Sequence, residues 1–131
     1  MKNYVSDHDK LVRLMGMTIE SVTTESARVT MPLLEQHRNG MGMAHGGTIF
    51  SLADVAFGAA ANAETSTAVV SLNTTIQYLR AGQSSPLVAV SHLIRGGSHI
   101  VTYDVEVFDG SGALIAKCLC TGYHTNFPLP G

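Results

Sequence analysis

The stretch from Asn39 to Ala61 constrains this chain most, because it passes from a polar, glycine-punctuated loop into a helix that is apolar on nearly every side. Residues 34–46 hold Glu35, Gln36, His37, Arg38 and Asn39, then Gly40 and Gly42. From about Gly47 to Asn62, the residues Ile49, Phe50, Leu52, Ala53, Val55, Ala56, Phe57 and Ala60 leave almost no polar stripe. A helix of that kind belongs inside a protein. It nevertheless carries one carboxylate, Asp54, and an ionised carboxylate in such surroundings is costly by several kcal/mol unless paired or hydrogen-bonded.

What surrounds the helix follows from periodicity. Asp7 or Asp9 caps a short helix over Lys10–Met15 that ends at Gly16, so residues 1–16 read as a covering element. Two strands are predicted at about Thr18–Thr23 and Ser26–Leu33, the second alternating Ala27, Val29, Met31 and Leu33 against Arg28 and Thr30. After the helix the period changes to two. Val70, Leu72, Thr74, Ile76 and Tyr78 alternate with Ser71, Asn73, Thr75 and Gln77; Pro86–Arg95 and Val101–Val107 are further strands, with a turn at Gly96-Gly97. Asp109-Gly-Ser-Gly112 is a hairpin turn leading to a last strand, Ala113 to about His124, and residues 125–131, with Pro128 and Pro130, read as a frayed tail.

At 131 residues this order predicts one domain, residues 1–131, of α+β class, with an antiparallel sheet curled around one long central helix. Such a sheet leaves its edges open, which predicts at least a homodimer formed by edge pairing.

Several function classes are disfavoured. A formal charge of −2 with 45% hydrophobic residues offers no electrostatic footprint for nucleic acid, although a small anionic ligand stays open. The polar N-terminus lacks the apolar core of a secretory signal, and the most apolar helix falls short of the roughly 20 residues that span a bilayer. The expectation is a cytoplasmic chain with no membrane partner. Cys118 and Cys120, one residue apart in a strand, read as buried thiols of a reducing compartment. The six histidines, His8, His37, His45, His92, His99 and His124, show no ligand spacing, so no metal site is expected.

His45-Gly46-Gly47 sits where loop becomes helix, and a helix start presents unpaired N–H groups and the positive end of the dipole. Two glycines there admit a close ligand, or serve tight packing. The stretch is no P-loop, since no Gly-Lys-Ser/Thr follows, and no dinucleotide fingerprint, since no βαβ unit precedes it. It suits a carbonyl oxygen that gains negative charge. Asp54 is then either a satisfied core aspartate or a general base or nucleophile in a cleft. Eight residues of helix separate Gly46 from Asp54, roughly 12 Å at ~1.5 Å per residue, too far for both to act on one carbonyl. The spacing predicts that Gly46 of one subunit faces Asp54 of another across a two-fold interface.

Asn39, five residues, His45-Gly46-Gly47, six residues, and Asp54 at the end of Ser-Leu-Ala-Asp, followed by a strand containing Val70-Ser71, resembles the PaaI-type acyl-CoA thioesterases of the hotdog-fold superfamily. The likeness covers essentially the whole chain. It implies a sheet wrapped on the long helix, dimers that pair into tetramers, and hydrolysis of an aryl- or medium-chain acyl-CoA at the dimer interface, with coenzyme A as part of the substrate and no separate cofactor. By position, Gly46 would donate its N–H to the thioester oxygen and Asp54 would activate water or attack. Asn39 and His45 would orient the thioester and the loop, and Ser71, on the polar face of its strand, would place the water. Gly47 would lie in the substrate site. Arg38, Arg80 and Arg95 are the candidates for the coenzyme A phosphates, and Phe50, Phe57, Met41 and Met43 for the acyl pocket.

Two other readings share this outline. One is a hotdog module that binds acyl-CoA without turning it over; the other is an enoyl-thioester hydratase or dehydratase with a differently spaced acid–base pair.

Overall fold

The computed structural model describes residues 4–129. Two short helices open the chain, α1 (Tyr4–His8) and α2 (Lys10–Met15), where one was expected. Asp9 separates them: its Oδ1 accepts the N–H groups of Leu11 and Val12 at 2.9 and 3.3 Å, capping α2, and Gly16 closes it. Val5 and Val12 turn inward and attach the pair to the core.

Six strands follow, β1 (Thr18–Val22), β2 (Ser26–Met31), β3 (Thr67–Tyr78), β4 (Leu87–Gly96), β5 (Ile100–Phe108) and β6 (Leu114–Pro128), with the long helix α3 (Gly46–Ala61) between β2 and β3. They form one sheet in the order β1-β2-β4-β5-β6-β3, every neighbouring pair antiparallel. β2 stops at Met31 rather than Leu33 because Pro32 follows and has no N–H for the ladder. The frayed tail expected from residue 125 is instead strand as far as Pro128. β3 begins at Thr67, which supplies a partner opposite Pro128, and the Thr125 hydroxyl donates to the Ala68 carbonyl at 2.6 Å. Pro130 and Gly131 lie outside the described residues.

The sheet curls around α3. Ile49, Leu52, Ala53, Ala56, Phe57 and Ala60 are buried against Val29, Met31, Leu87, Ala89, Val105 and Val107. The inward residues of β6, Ala116, Cys118, Cys120 and Gly122, are small, as the close wrap requires. A Cβ on Gly122 would lie 2.7 Å from the Phe57 ring, so any larger residue would force a shift there. Burial pushes the thiols of Cys118 and Cys120 up to about 12 and about 11, and both are free cysteines. Two polar side chains stitch helix to sheet. Ser91 donates to the Ala56 carbonyl at 2.8 Å and accepts the Ala27 N–H at 3.0 Å. Asn62, at the end of α3, accepts the Val69 N–H at 2.8 Å and donates to the Val69 and Gly58 carbonyls.

β3 departs from the simple alternation. A bulge between Ser71 and Asn73 shifts its register against β6. Before the bulge Ser71 pairs with Gly122 and so shares the helix-facing side, while Val70 and Leu72 point outward, 42% and 58% exposed. After it, Thr74 and Ile76 pair with Cys120 and Cys118 on the helix side.

Candidate active site

The loop before α3 is held by its own polar residues. His37 is buried: Nδ1 accepts the Leu34 N–H at 3.0 Å, and Nε2 lies 2.9 Å from the Met15 carbonyl, a pair of partners that places the hydrogen on Nε2. Its carbonyl accepts the Thr48 hydroxyl and the His45 N–H, at 3.0 and 2.9 Å. The Asn39 side chain accepts the N–H groups of Met41 and Met43 at 2.9 and 3.1 Å, and its own N–H donates to the Met43 carbonyl. Arg38 donates to the carbonyls of Gly42 and Leu33 at 2.7 and 3.4 Å, so its guanidinium braces the loop rather than standing free for a phosphate.

At the helix start, His45 is the N-cap, and its Nδ1 accepts the Gly47 N–H at 2.9 Å. Gly47 therefore spends its N–H on the imidazole that caps the helix. The Gly46 N–H, in contrast, meets no acceptor among the described residues. Gly46 lies on the wall of a cavity of about 340 Å³ that Asn39, Met43, Ile49, Tyr78 and Arg80 also line. The Tyr78 hydroxyl donates to the Gly46 carbonyl at 2.9 Å, and a Cβ on Gly46 would come within 3.3 Å of the Tyr78 ring. Neither Tyr78 nor His37 stood out in the sequence. Tyr78 counted only as one of an alternating apolar row, and it meets Gly46 across 32 residues of chain.

Asp54 sits two turns further along α3, half-buried, with no side-chain hydrogen bond or ion pair among the described residues. Desolvation by burial raises its pKa above the ordinary carboxylate value, and the negative charge of Asp9 raises it further. The satisfied core aspartate is thus not seen among the described residues. Gly47, Phe50, Ser51, Asp54, Gly58 and Ala61 form the stripe of α3 that the sheet leaves uncovered. Phe50 is 36% exposed on that stripe, whereas Phe57 is core, its ring edge-on to Tyr103 at 5.6 Å between centroids.

Within one chain the predicted residues separate into two groups. Asn39, His45, Gly46 and Arg80 gather at the helix start, and the Arg80 guanidinium finds no partner among the described residues. Asp54 and Ser71 lie apart from that cavity. Ser71, expected on the polar face of its strand, pairs with Gly122 on the helix-facing side, and its hydroxyl lies 3.4 Å from that of Thr74. Arg95 stands near the far end of β4, eight residues beyond Leu87, and does not line the Gly46 cavity. Among the described residues no cluster of three or more metal-ligating side chains occurs, and no helix is long and apolar enough to cross a membrane.

A family profile described as the Thioesterase superfamily matches residues 41–116, from the loop through most of the sheet. The acyl-coenzyme A thioesterase PaaI of Escherichia coli is 34% identical over 111 residues, 84% of this chain and 79% of that protein. The structure of the E. coli PaaI protein of the phenylacetic acid degradation operon aligns with a TM-score of 0.87 at 29% identity, over 95% of this chain and 90% of that one. A mutant of the phenylacetic acid degradation protein PaaI from Thermus thermophilus aligns with a TM-score of 0.83 at 27% identity, over 89% of this chain and 100% of that one. The six-stranded antiparallel sheet around one long helix is thus the hotdog fold.

Proposed function

The chain belongs to the thioesterase superfamily, and on that premise we propose that it hydrolyses an acyl-CoA thioester, of aryl or medium-chain type, to the free acid and coenzyme A. The observation that carries this reading is the Gly46 N–H, without an acceptor among the described residues, at the positive end of α3 on a residue that lines a cavity. The thioester oxygen binds this N–H, so charge that develops on it is met by a donor already in place. Water adds to the carbonyl carbon, its proton passes to a carboxylate, and the carbon–sulfur bond breaks to release the coenzyme A thiol. Asp54 supplies the carboxylate, as base or by direct attack. Asn39 and His45 orient the thioester, Ser71 helps hold the water, and Arg80 meets a phosphate at the mouth. No metal or redox cofactor has a step in this scheme.

A second copy completes the site. About 12 Å of helix axis separates Gly46 from Asp54 in one chain, at ~1.5 Å per residue. The helix α3, whose uncovered stripe carries Asp54, contacts β3, which is an edge strand of the sheet. Edge pairing of β3 with its copy covers the stripe and carries Asp54 of one subunit toward Gly46 of the other; dimers of this kind then pair into tetramers. We place the reaction in the cytoplasm, where thiols such as Cys118 and Cys120 stay reduced.

The test is a panel of acyl-CoA esters followed by thiol release, alongside loss of enoyl absorbance and calorimetry. Hydrolysis by the wild-type chain that Asp54→Asn abolishes supports the reading. Binding without turnover, or enoyl hydration without thiol release, replaces it with one of the two other hotdog activities.

A further inference from the structure

The peptide between Gly46 and Gly47 is held at both ends. Its carbonyl accepts the Tyr78 hydroxyl at 2.9 Å, and its N–H donates to His45 Nδ1 at 2.9 Å. The two bonds run in one direction, from phenol to amide to imidazole, and hydrogen bonds in series polarise one another. An Nδ1 that accepts leaves the hydrogen of a neutral imidazole on Nε2. That N–H has no acceptor among the described residues, and His45 is exposed.

Within one chain Tyr78 is 52% exposed, and among the described residues its hydroxyl reaches one acceptor, the Gly46 carbonyl. A Cβ on residue 46 would press on the Tyr78 ring at 3.3 Å, so the bare Gly46 backbone and the phenol sit in close contact.

We propose that Tyr78 is a positioning residue for the thioester site: its hydroxyl, acting through the Gly46–Gly47 amide, holds His45 as an Nε2–H donor beside the free Gly46 N–H. The site then presents two donors, one from the backbone and one from the imidazole, both set before substrate arrives. Such fixed donors need no reorganisation as charge develops. The catalytic part of this inference rests on the thioesterase reading; the hydrogen-bond chain does not.

Tyr78→Phe keeps the ring and removes only the hydroxyl. Nitrogen-edited NMR of the full chain should show the Gly47 amide proton moving upfield and the His45 ring nitrogens shifting toward a mixture of tautomers. In the thiol-release assay kcat should fall about three- to tenfold with KM nearly unchanged, the size expected for one neutral hydrogen bond. Unchanged Gly47 and His45 resonances would overturn the chain of bonds. Shifted resonances with unchanged kcat would overturn its role in the reaction. If the wild-type chain hydrolyses no thioester, the proposed function fails, while the resonances still decide whether Tyr78 sets the state of His45.

Discussion

Asp9 and Asp54 are coupled through space: the carboxylate that caps α2 raises the pKa of the carboxylate in the middle of α3, adding to the larger effect of burial. The covering helices therefore do more than shield the core. They help set the protonation of the proposed base.

Asp54→Asn should lower turnover on the best acyl-CoA by ~10²–10⁴, the usual contribution of a positioned base. The same change should raise the melting temperature at neutral pH. A carboxyl whose folded pKa is raised favours the folded state while protonated and loses that contribution as pH rises through the folded value. The neutral amide carries no such penalty. Thermal melts at pH 7 and pH 4 check it: the gain should shrink at the lower pH.

Asp9→Asn keeps an oxygen to cap α2 but removes the charge. The acidic limb of the pH profile of kcat/KM, which reports the free enzyme's base, should move to lower pH. Stability should change little. An unmoved limb would show that Asp9 does not act on the group that titrates in the reaction.

Gly46→Pro deletes the backbone N–H proposed to bind the thioester oxygen. Proline is well tolerated at the first position of a helix, and His45 already has the extended backbone that precedes proline, with ψ 141°. The added Cβ would meet the exposed Tyr78 ring at 3.3 Å, a contact relieved by a small shift of that side chain, so the variant should fold and lose ~10²–10³ in rate. Mixed with Asp54→Asn after unfolding and reassociation, it should recover about a quarter of wild-type activity, since about half the dimers are mixed and each holds one intact site of two. No recovery would overturn the pairing of Gly46 and Asp54 across the interface.

Asp109 is buried in the β5–β6 turn. Burial raises its pKa, but hydrogen bonds from the Ser111 hydroxyl and the N–H groups of Gln83, Ser111 and Ser84 outweigh this and leave it below the ordinary value. Asp109→Ala should cost about 1.5–3 kcal/mol at neutral pH, the range for hydrogen bonds to a charged group. A depressed carboxylate stabilises the fold above its unfolded pKa of about 3.9 and loses that contribution as pH falls through the folded value. The difference between variant and wild type in urea unfolding should therefore narrow below pH 4.

Gly122→Ala tests the tightness of the wrap. Its methyl would sit 2.7 Å from Phe57 and 3.0 Å from Val69, so overpacking should cost about 1–3 kcal/mol in chemical denaturation.

The features written in local pattern were legible in the sequence. α3 announced itself by apolar residues on every side, β5 by strict alternation from Val101 to Val107, and Asp54 by the cost of a carboxylate among them. What depended on distant partners was not legible. The bulge at Ser71 is set by pairing with β6, and it turned Ser71 toward the helix and Val70 and Leu72 outward. The final residues of β6 looked frayed because the strand opposite them starts earlier than its apolar run. Arg38 was a free cation in the sequence until the loop folded back to offer it two carbonyls. Tyr78 joined the site only because the sheet carries the end of β3 to the start of α3.

Cys118 and Cys120 have a practical consequence. Both are buried and hold their protons far above neutral pH, at about 12 and about 11. Thiolate is the form that reacts with disulfide dyes. The folded protein should therefore stay silent toward a colorimetric sulfhydryl reagent, so that each equivalent of colour counts a product molecule and a burst of two equivalents per chain reports unfolding.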